Sequence, residues 1–342
     1  MRKLTTIFLL LTILVCPALS LDVREGLIRV RIDDLTGRIA LYRLGMLSGS
    51  RYEALVFDMD PRTSSLSISI DGRRVKLGDS QEYRAKVRRV NKGAEVEFSS
   101  PVASVIQRVE FVRSSESRLH DTFKISYIVR NISARDFRFA LRQIWDTRLG
   151  EKSGVHFATD SVLKFDEERT FSGDLMVPYV VTPGESASMA LLLEGFARPD
   201  VVTLANWKRL SDATWAYGTL MKGFSLAPYS LNDSAMGLYW NDVIVKAGNS
   251  VTFVSYFLTG GEGKDFLRLL KEKRVQIIGE STPIQPAINA PVIRTPLNLE
   301  ALRTLLKDLD FAIENIDTIS EEEINRIIDQ LNEFEAQGET EQ

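Results

Sequence analysis

Asp146 and His156 are the two residues whose types and spacing come closest to an acid–base pair. They belong to the segment 141–157, Leu-Arg-Gln-Ile-Trp-Asp-Thr-Arg-Leu-Gly-Glu-Lys-Ser-Gly-Val-His-Phe, where an alternating strand runs into a glycine-flanked loop. In a catalytic reading Asp146 is the base, and His156 is the proton donor or a ligand for a substrate oxygen. Arg142 stands four residues before Asp146, on the same strand face and about 13 Å away. At that separation each is expected to pair with a neighbouring strand rather than with the other. The plainer account is an Asp-Thr turn closing a strand, with Arg142 neutralising a carboxylate inside a sandwich. His120, in Ser-Arg-Leu-His-Asp, reads as loop polarity at a strand start.

Other chemical templates fail. There is no Gly-x-Ser-x-Gly elbow and no His-Glu-x-x-His pair. Gly260-Gly261-Glu262-Gly263-Lys264 imitates a phosphate loop, but Leu258 stands where the first glycine belongs and Asp265 where Ser or Thr would hold magnesium. It reads as the exit from the last strand. Asp58 and Asp60, just ahead of Pro61, read as a turn rather than a cation site. No catalytic residue, metal ligand or cofactor is therefore expected. A cluster of aromatics, Trp207, Trp215, Tyr217, Tyr239 and Trp240, suits sugar recognition, since sugar rings stack on exposed aromatic faces. Strand alternation lets only one of Tyr239 and Trp240 face inward. Arg142, Asp146, His156, Trp207 and Trp240 are the candidate ligand-binding residues.

The elements that must position these residues are strands. From about Gly26 to Thr259 the apolar pattern has a period of two, without helical periodicity, which disfavours alternating βαβ units. Gln81 to Val90 and Ala94 to Phe98 form a hairpin around Asn91-Lys92-Gly93, its basic strand facing its acidic one. The expected fold is all-β, a large antiparallel sandwich over 21–262, followed by a short helix and extension over 263–279.

The two ends are different in kind. Arg2-Lys3, the apolar run Ile7 to Val15 and Ala18-Leu19-Ser20 have the grammar of a secretory signal peptide over 1–20. The apolar run is too short to span a bilayer, and no transmembrane segment is expected elsewhere. The single cysteine, Cys16, departs with the signal; lipidation there is the alternative. At the other end, Pro283, Pro286, Pro291 and Pro296 mark a linker over 280–297, and a helical hairpin over 298–337 precedes a tail, 338–342. Ser320 and Glu323 form a capping box at the second helix. From Leu297 on there are 13 acidic and 3 basic residues, whereas residues 21–296 carry 38 basic and 33 acidic ones. A body at +5 lacks the dense basic stripe that nucleic acid requires. The hairpin needs a surface for its apolar stripes: its own body, a second copy or a partner.

Segments 141–151, 235–240 (Ala-Met-Gly-Leu-Tyr-Trp) and 246–253 (Lys-Ala-Gly-Asn-Ser-Val-Thr-Phe) resemble those of exported bacterial proteins with a galactose-mutarotase-like, carbohydrate-binding β-supersandwich. The resemblance spans about 25–260. It implies a sugar-handling fold whose epimerases use two histidines and a glutamate. His120 and His156 lack a surrounding motif of that kind. The expectation is a non-catalytic binding and scaffolding protein of the periplasm or cell envelope, taking a glycan or a protein surface and docking an envelope partner or itself through the hairpin. The alternatives are a mutarotase-like enzyme using Asp146 and His156, and a purely structural envelope component.

Overall fold

The computed structural model describes residues 20–45, 51–219 and 221–279. The chain divides into two compact units, Met1–Pro291 and Val292–Gln342, and the second lies wholly outside the described residues. Residues 1–19 of the signal peptide, the linker, the helical hairpin and the tail also lie outside them.

The alternating apolar segments form antiparallel strands in three sheets. A four-stranded sheet holds β1 (Ser20–Glu25), β2 (Ile28–Asp33), β3 (Ile39–Leu44) and β4 (Tyr52–Ala54) in sequence order. Two larger sheets make the sandwich. The seven-stranded one runs β13 (Tyr179–Thr182), β14 (Ser188–Leu192), β17 (Ser250–Gly260), β10 (Thr122–Asn131), β9 (Ala103–Val112), β8 (Gly93–Ser99) and β7 (Arg84–Val90). The six-stranded one runs β12 (Arg169–Ser172), β15 (Val201–Asn206), β16 (Ser234–Val245), β11 (Phe137–Thr147), β5 (Ser65–Ile70) and β6 (Arg73–Lys76). The fold is thus the expected all-β sandwich. In the β7–β8 hairpin, Arg88 lies opposite Glu95 and forms an ion pair with it, Lys86 lies opposite Glu97, and Arg84 lies opposite Ser99.

Large rings hold the two sheets together. Trp240 on β16 packs on Tyr127 of β10, centroids 4.9 Å apart, and Trp145 on β11 meets Phe257 of β17 edge-on at 5.8 Å. Both Tyr239 and Trp240 are buried, although they alternate along one strand. Only Trp240 faces inward, as expected; Tyr239 lies on the outer face with Arg142 and is buried because that face is covered as well.

The cover is a short helix, α1 (Trp207–Asp212), which sequence periodicity does not reveal. Six residues are too few to display a 3.6 period. Its start is nevertheless encoded: the Asn206 side chain caps the helix by accepting from the Arg209 amide at 3.3 Å. The expected late helix is α2 (Gly263–Glu272), which buries Phe266 and Leu270 against the edge of the seven-stranded sheet.

Candidate functional site

β11 presents Arg142, Ile144 and Asp146 to the face that α1 covers, while Trp145 points into the sandwich core. The three outward residues have different fates. Arg142 is buried and donates to the carbonyls of Leu210 and Ala213, with 2.8 Å to the latter, so it caps the C-terminal end of α1. Its guanidinium also lies 5.8 Å from the Tyr239 ring centroid. This is a structural assignment: the groups that Arg142 holds belong to the chain itself.

Asp146 stands at the far end of the same strand and is 4% exposed. Its amide donates to Ser64 Oγ at 3.1 Å, and the Thr63 side chain hydrogen-bonds its carboxylate. Two further acids join it. Glu151 follows the turn at Gly150, where φ is +79° and a Cβ would lie 2.0 Å from the Val155 carbonyl oxygen; only glycine fits that close crossing. Asp233 immediately precedes β16, whose Ser234 and Ala235 lie opposite Thr147 and Asp146. One carboxylate oxygen from each of Asp146, Glu151 and Asp233 lies within 4.8 Å of the other two.

Crowding three acids where water is scarce drives up their proton affinities. Burial, assisted by repulsion from Asp233 and Asp60, raises Asp146 to about 7, against the opposing hydrogen bond from Thr63. Glu151 rises to about 8, first through burial and then through Asp146 and Asp233; Arg148 and the Ser234 amide oppose this. Burial also raises Asp233, partly offset by the hydroxyl of Ser230, which donates at 2.6 Å, and by His156. Such a cluster can share protons, accept hydrogen bonds from ligand hydroxyls, or hold a hard cation. Three carboxylates supply part of a calcium shell, the rest coming from carbonyls, water or ligand hydroxyls.

His156 does not join Asp146. It is buried with its ring 4.6 Å from that of Phe224, and its Nε2 meets the Asn232 side-chain oxygen at 2.9 Å. Burial lowers its pKa, against the hydrogen bond to Asn232. It is linked to the cluster through Asn232, whose side-chain amide also donates to the Glu151 carbonyl, and it acts on Asp233 electrostatically. His120 instead pairs with Glu25 at 3.2 Å.

The candidate tryptophans part company in the same way. Trp240 is 3% exposed and wedged between Tyr127 and Phe253, so no ring face is free for a sugar. Trp207 is half-buried at the start of α1, and its Nε1 donates to the Thr63 carbonyl at 3.0 Å. Thr63 therefore links Trp207 to Asp146. The loop leading to Asp233 is pinned by Asn206, whose amide reaches the Asp233 carbonyl at 3.0 Å, Ser230 Oγ at 2.8 Å and the Phe224 carbonyl at 3.1 Å. Below it, fully buried Glu168 accepts from Arg209 at 2.8 Å, the Tyr217 hydroxyl at 2.8 Å and the Asn206 amide at 2.9 Å. Of the expected residues, Asp146 and Trp207 both contact Thr63, whereas Arg142, His156 and Trp240 are buried against groups of the chain itself.

No family model matches the sequence, and no curated protein matches it. Solved structures do match. A galactose mutarotase-related enzyme from Lactobacillus acidophilus aligns over 71% of this chain and 97% of its own, at 8% identity and a TM-score of 0.39. A galactose mutarotase-like protein from Lactobacillus casei covers 70% of this chain and 100% of its own, at 8% identity and 0.42. An aldose epimerase homologue from C. elegans covers 71% and 100%, at 9% and 0.41. The resemblance to these proteins is weak to moderate, at TM-scores of about 0.4 and 8–9% identity.

Proposed function

We propose that the chain is an exported, non-catalytic glycan-binding protein of the periplasm or cell envelope, whose sugar site is the end of β11 beside α1. The observation that carries this reading is the convergence of Asp146, Glu151 and Asp233 next to the half-buried ring of Trp207. Carboxylates accept from vicinal sugar hydroxyls, and the indole offers an apolar face to the ring. The hairpin over 298–337 would then dock an envelope partner or a second copy. A glycan array probed with the purified chain tests the reading: hits are expected that weaken in Asp233→Asn and Trp207→Ala. A silent array, with the folded state intact, contradicts it.

A second reading rests on a specific observation. Two neighbouring carboxyls raised to about 7 and about 8 are poised to exchange protons near neutral pH. A mutarotase-like enzyme would use Asp146 and Glu151 as base and acid, in place of Asp146 and His156. Polarimetry on freshly dissolved D-galactose and D-glucose separates the two readings. The binding protein leaves mutarotation at its uncatalysed rate, whereas acceleration lost in Glu151→Gln establishes the enzyme.

A further inference from the structure

Away from that site, a cavity of about 420 Å³ opens between the end of β17, the 114–121 segment and α2. Its volume falls within the range of small-molecule sites. The glycine-rich exit at Gly260–Gly263 builds it. A Cβ on Gly260 would sit 2.1 Å from the Phe266 ring, and one on Gly263 would sit 2.5 Å from Pro183, so the glycines let α2 lie directly against the sheet edge. Leu27, Leu258, Phe266 and Leu269 supply an apolar wall.

The polar lining is unevenly charged. Arg43, on β3, is 7% exposed and lines the cavity. Its Nη1 donates to Thr259 Oγ1 at 2.8 Å and to the Thr259 carbonyl at 3.1 Å. Its Nε has no hydrogen-bond partner, and no carboxylate among the described residues forms an ion pair with it. Asp121, the nearest acid in effect, is occupied by the Ser114 amide at 2.8 Å, the Ser114 hydroxyl at 2.6 Å and the Thr122 hydroxyl at 3.1 Å. The Asp121 charge acts on Arg43 without touching it, so the guanidinium keeps an unpartnered Nε, and a carboxylate approaching it gains charge-assisted hydrogen bonds.

The remaining acids have the opposite need. Glu116 is paired with Lys273 at 2.8 Å and Asp265 with Arg268 at 2.9 Å. Glu185 and Glu262 are exposed, and neither forms an ion pair among the described residues. Glu262 precedes α2 but makes no side-chain capping bond.

We infer that this cavity binds a small zwitterion, an amino acid or short peptide, with its carboxylate on Arg43, its ammonium toward Glu185 and Glu262, and an apolar side chain against Phe266 and Leu269. A neutral sugar would offer the Arg43 Nε no charge-assisted bond. A simple anion would meet the acidic mouth, and a simple cation would meet Arg43.

Isothermal titration calorimetry on the full chain tests this with L-leucine and leucyl-leucine, against leucinamide, which lacks the carboxylate, and 4-methylpentanoate, which lacks the amine. One of the two zwitterions is expected to bind, and removing either charge weakens binding roughly tenfold or more. Arg43→Gln abolishes binding. Because that change is buried, the double change Glu185→Gln with Glu262→Gln, at the exposed mouth, provides a second arm and weakens the zwitterion without lowering Tm. No binding by either zwitterion overturns the inference. So does equal binding of the single-charge analogues, or binding indifferent to both sets of changes.

Discussion

Trp207 Nε1 donates to the Thr63 carbonyl at 3.0 Å across 144 residues of sequence, and the Thr63 side chain in turn reaches the Asp146 carboxylate. Through that one threonine, the start of α1 and the end of β11 are set against each other.

Stability should depend on pH in the direction opposite to that of a salt-bridged protein. The folded chain keeps protons on Asp146 and Glu151, at about 7 and about 8, that the unfolded chain releases near the ordinary carboxylate values of 3.8 and 4.5. Their contribution is complete below those ordinary values and is lost as pH rises from there through 7 and 8. Urea melts at pH 5 and pH 8 should show the higher midpoint at pH 5, and Asp146→Asn should flatten the difference. A midpoint that rises with pH and is unaffected by the substitution contradicts the shifts.

Calcium should oppose that loss. Raising the pH to 8 strips protons from Asp146 and Glu151, and a bound divalent cation stabilises only the folded state that assembles the three carboxylates. Added calcium is expected to raise Tm at pH 8 in the wild type and not in Asp233→Asn. Equal effects on both chains would place any cation elsewhere.

Glu168 holds α1 down. It is fully buried, accepts from three groups, and Arg209 beside it is 11% exposed. Glu168→Ala removes the acceptor of Arg209, Tyr217 and the Asn206 backbone amide and should cost about 3 kcal/mol, Arg209 keeping its bonds to the Gly223 and Ser225 carbonyls. Chemical denaturation measures this; a loss within the range of ordinary surface changes would show that the ion pair is dispensable.

The two tryptophans should separate in their effects. Trp240→Ala empties a core position between Tyr127 and Phe253 and should destabilise the fold by about 3–5 kcal/mol. Trp207→Ala removes a half-buried ring and should reduce glycan binding more than stability. Paired denaturation and binding measurements that reverse this order would contradict the placement of the site.

Much of the architecture is legible because strands write themselves as alternation: Val105, Val109 and Phe111, or Phe123, Ile125 and Tyr127, lie where the period of two puts them. The cover over the outer sheet is not legible, since α1 is six residues long and its main signal is the single cap at Asn206. That hidden cover buries Tyr239 and Arg142. Asp146 stands out as a strand-end acid within its own segment. Glu151 and Asp233 join it through the Gly150 turn and the β11–β16 pairing, and nothing local to either residue shows that convergence. The available signal was the register itself: once 137–147 is paired with 234–245, the acid preceding β16 falls beside the acid ending β11.

The central claim is that the Asp146–Glu151–Asp233 cluster and Trp207 form a sugar-binding site that does not turn its ligand over. The most direct test is isothermal titration calorimetry of the best array oligosaccharide into the wild-type chain, Asp233→Asn and Trp207→Ala, with polarimetry of a free aldose run on the same samples. Saturable binding is expected in the wild type, weakened by about 1–3 kcal/mol in Trp207→Ala and also reduced in Asp233→Asn, while mutarotation stays at the uncatalysed rate. Binding unchanged in both variants, or aldose turnover that disappears in Glu151→Gln, would contradict it.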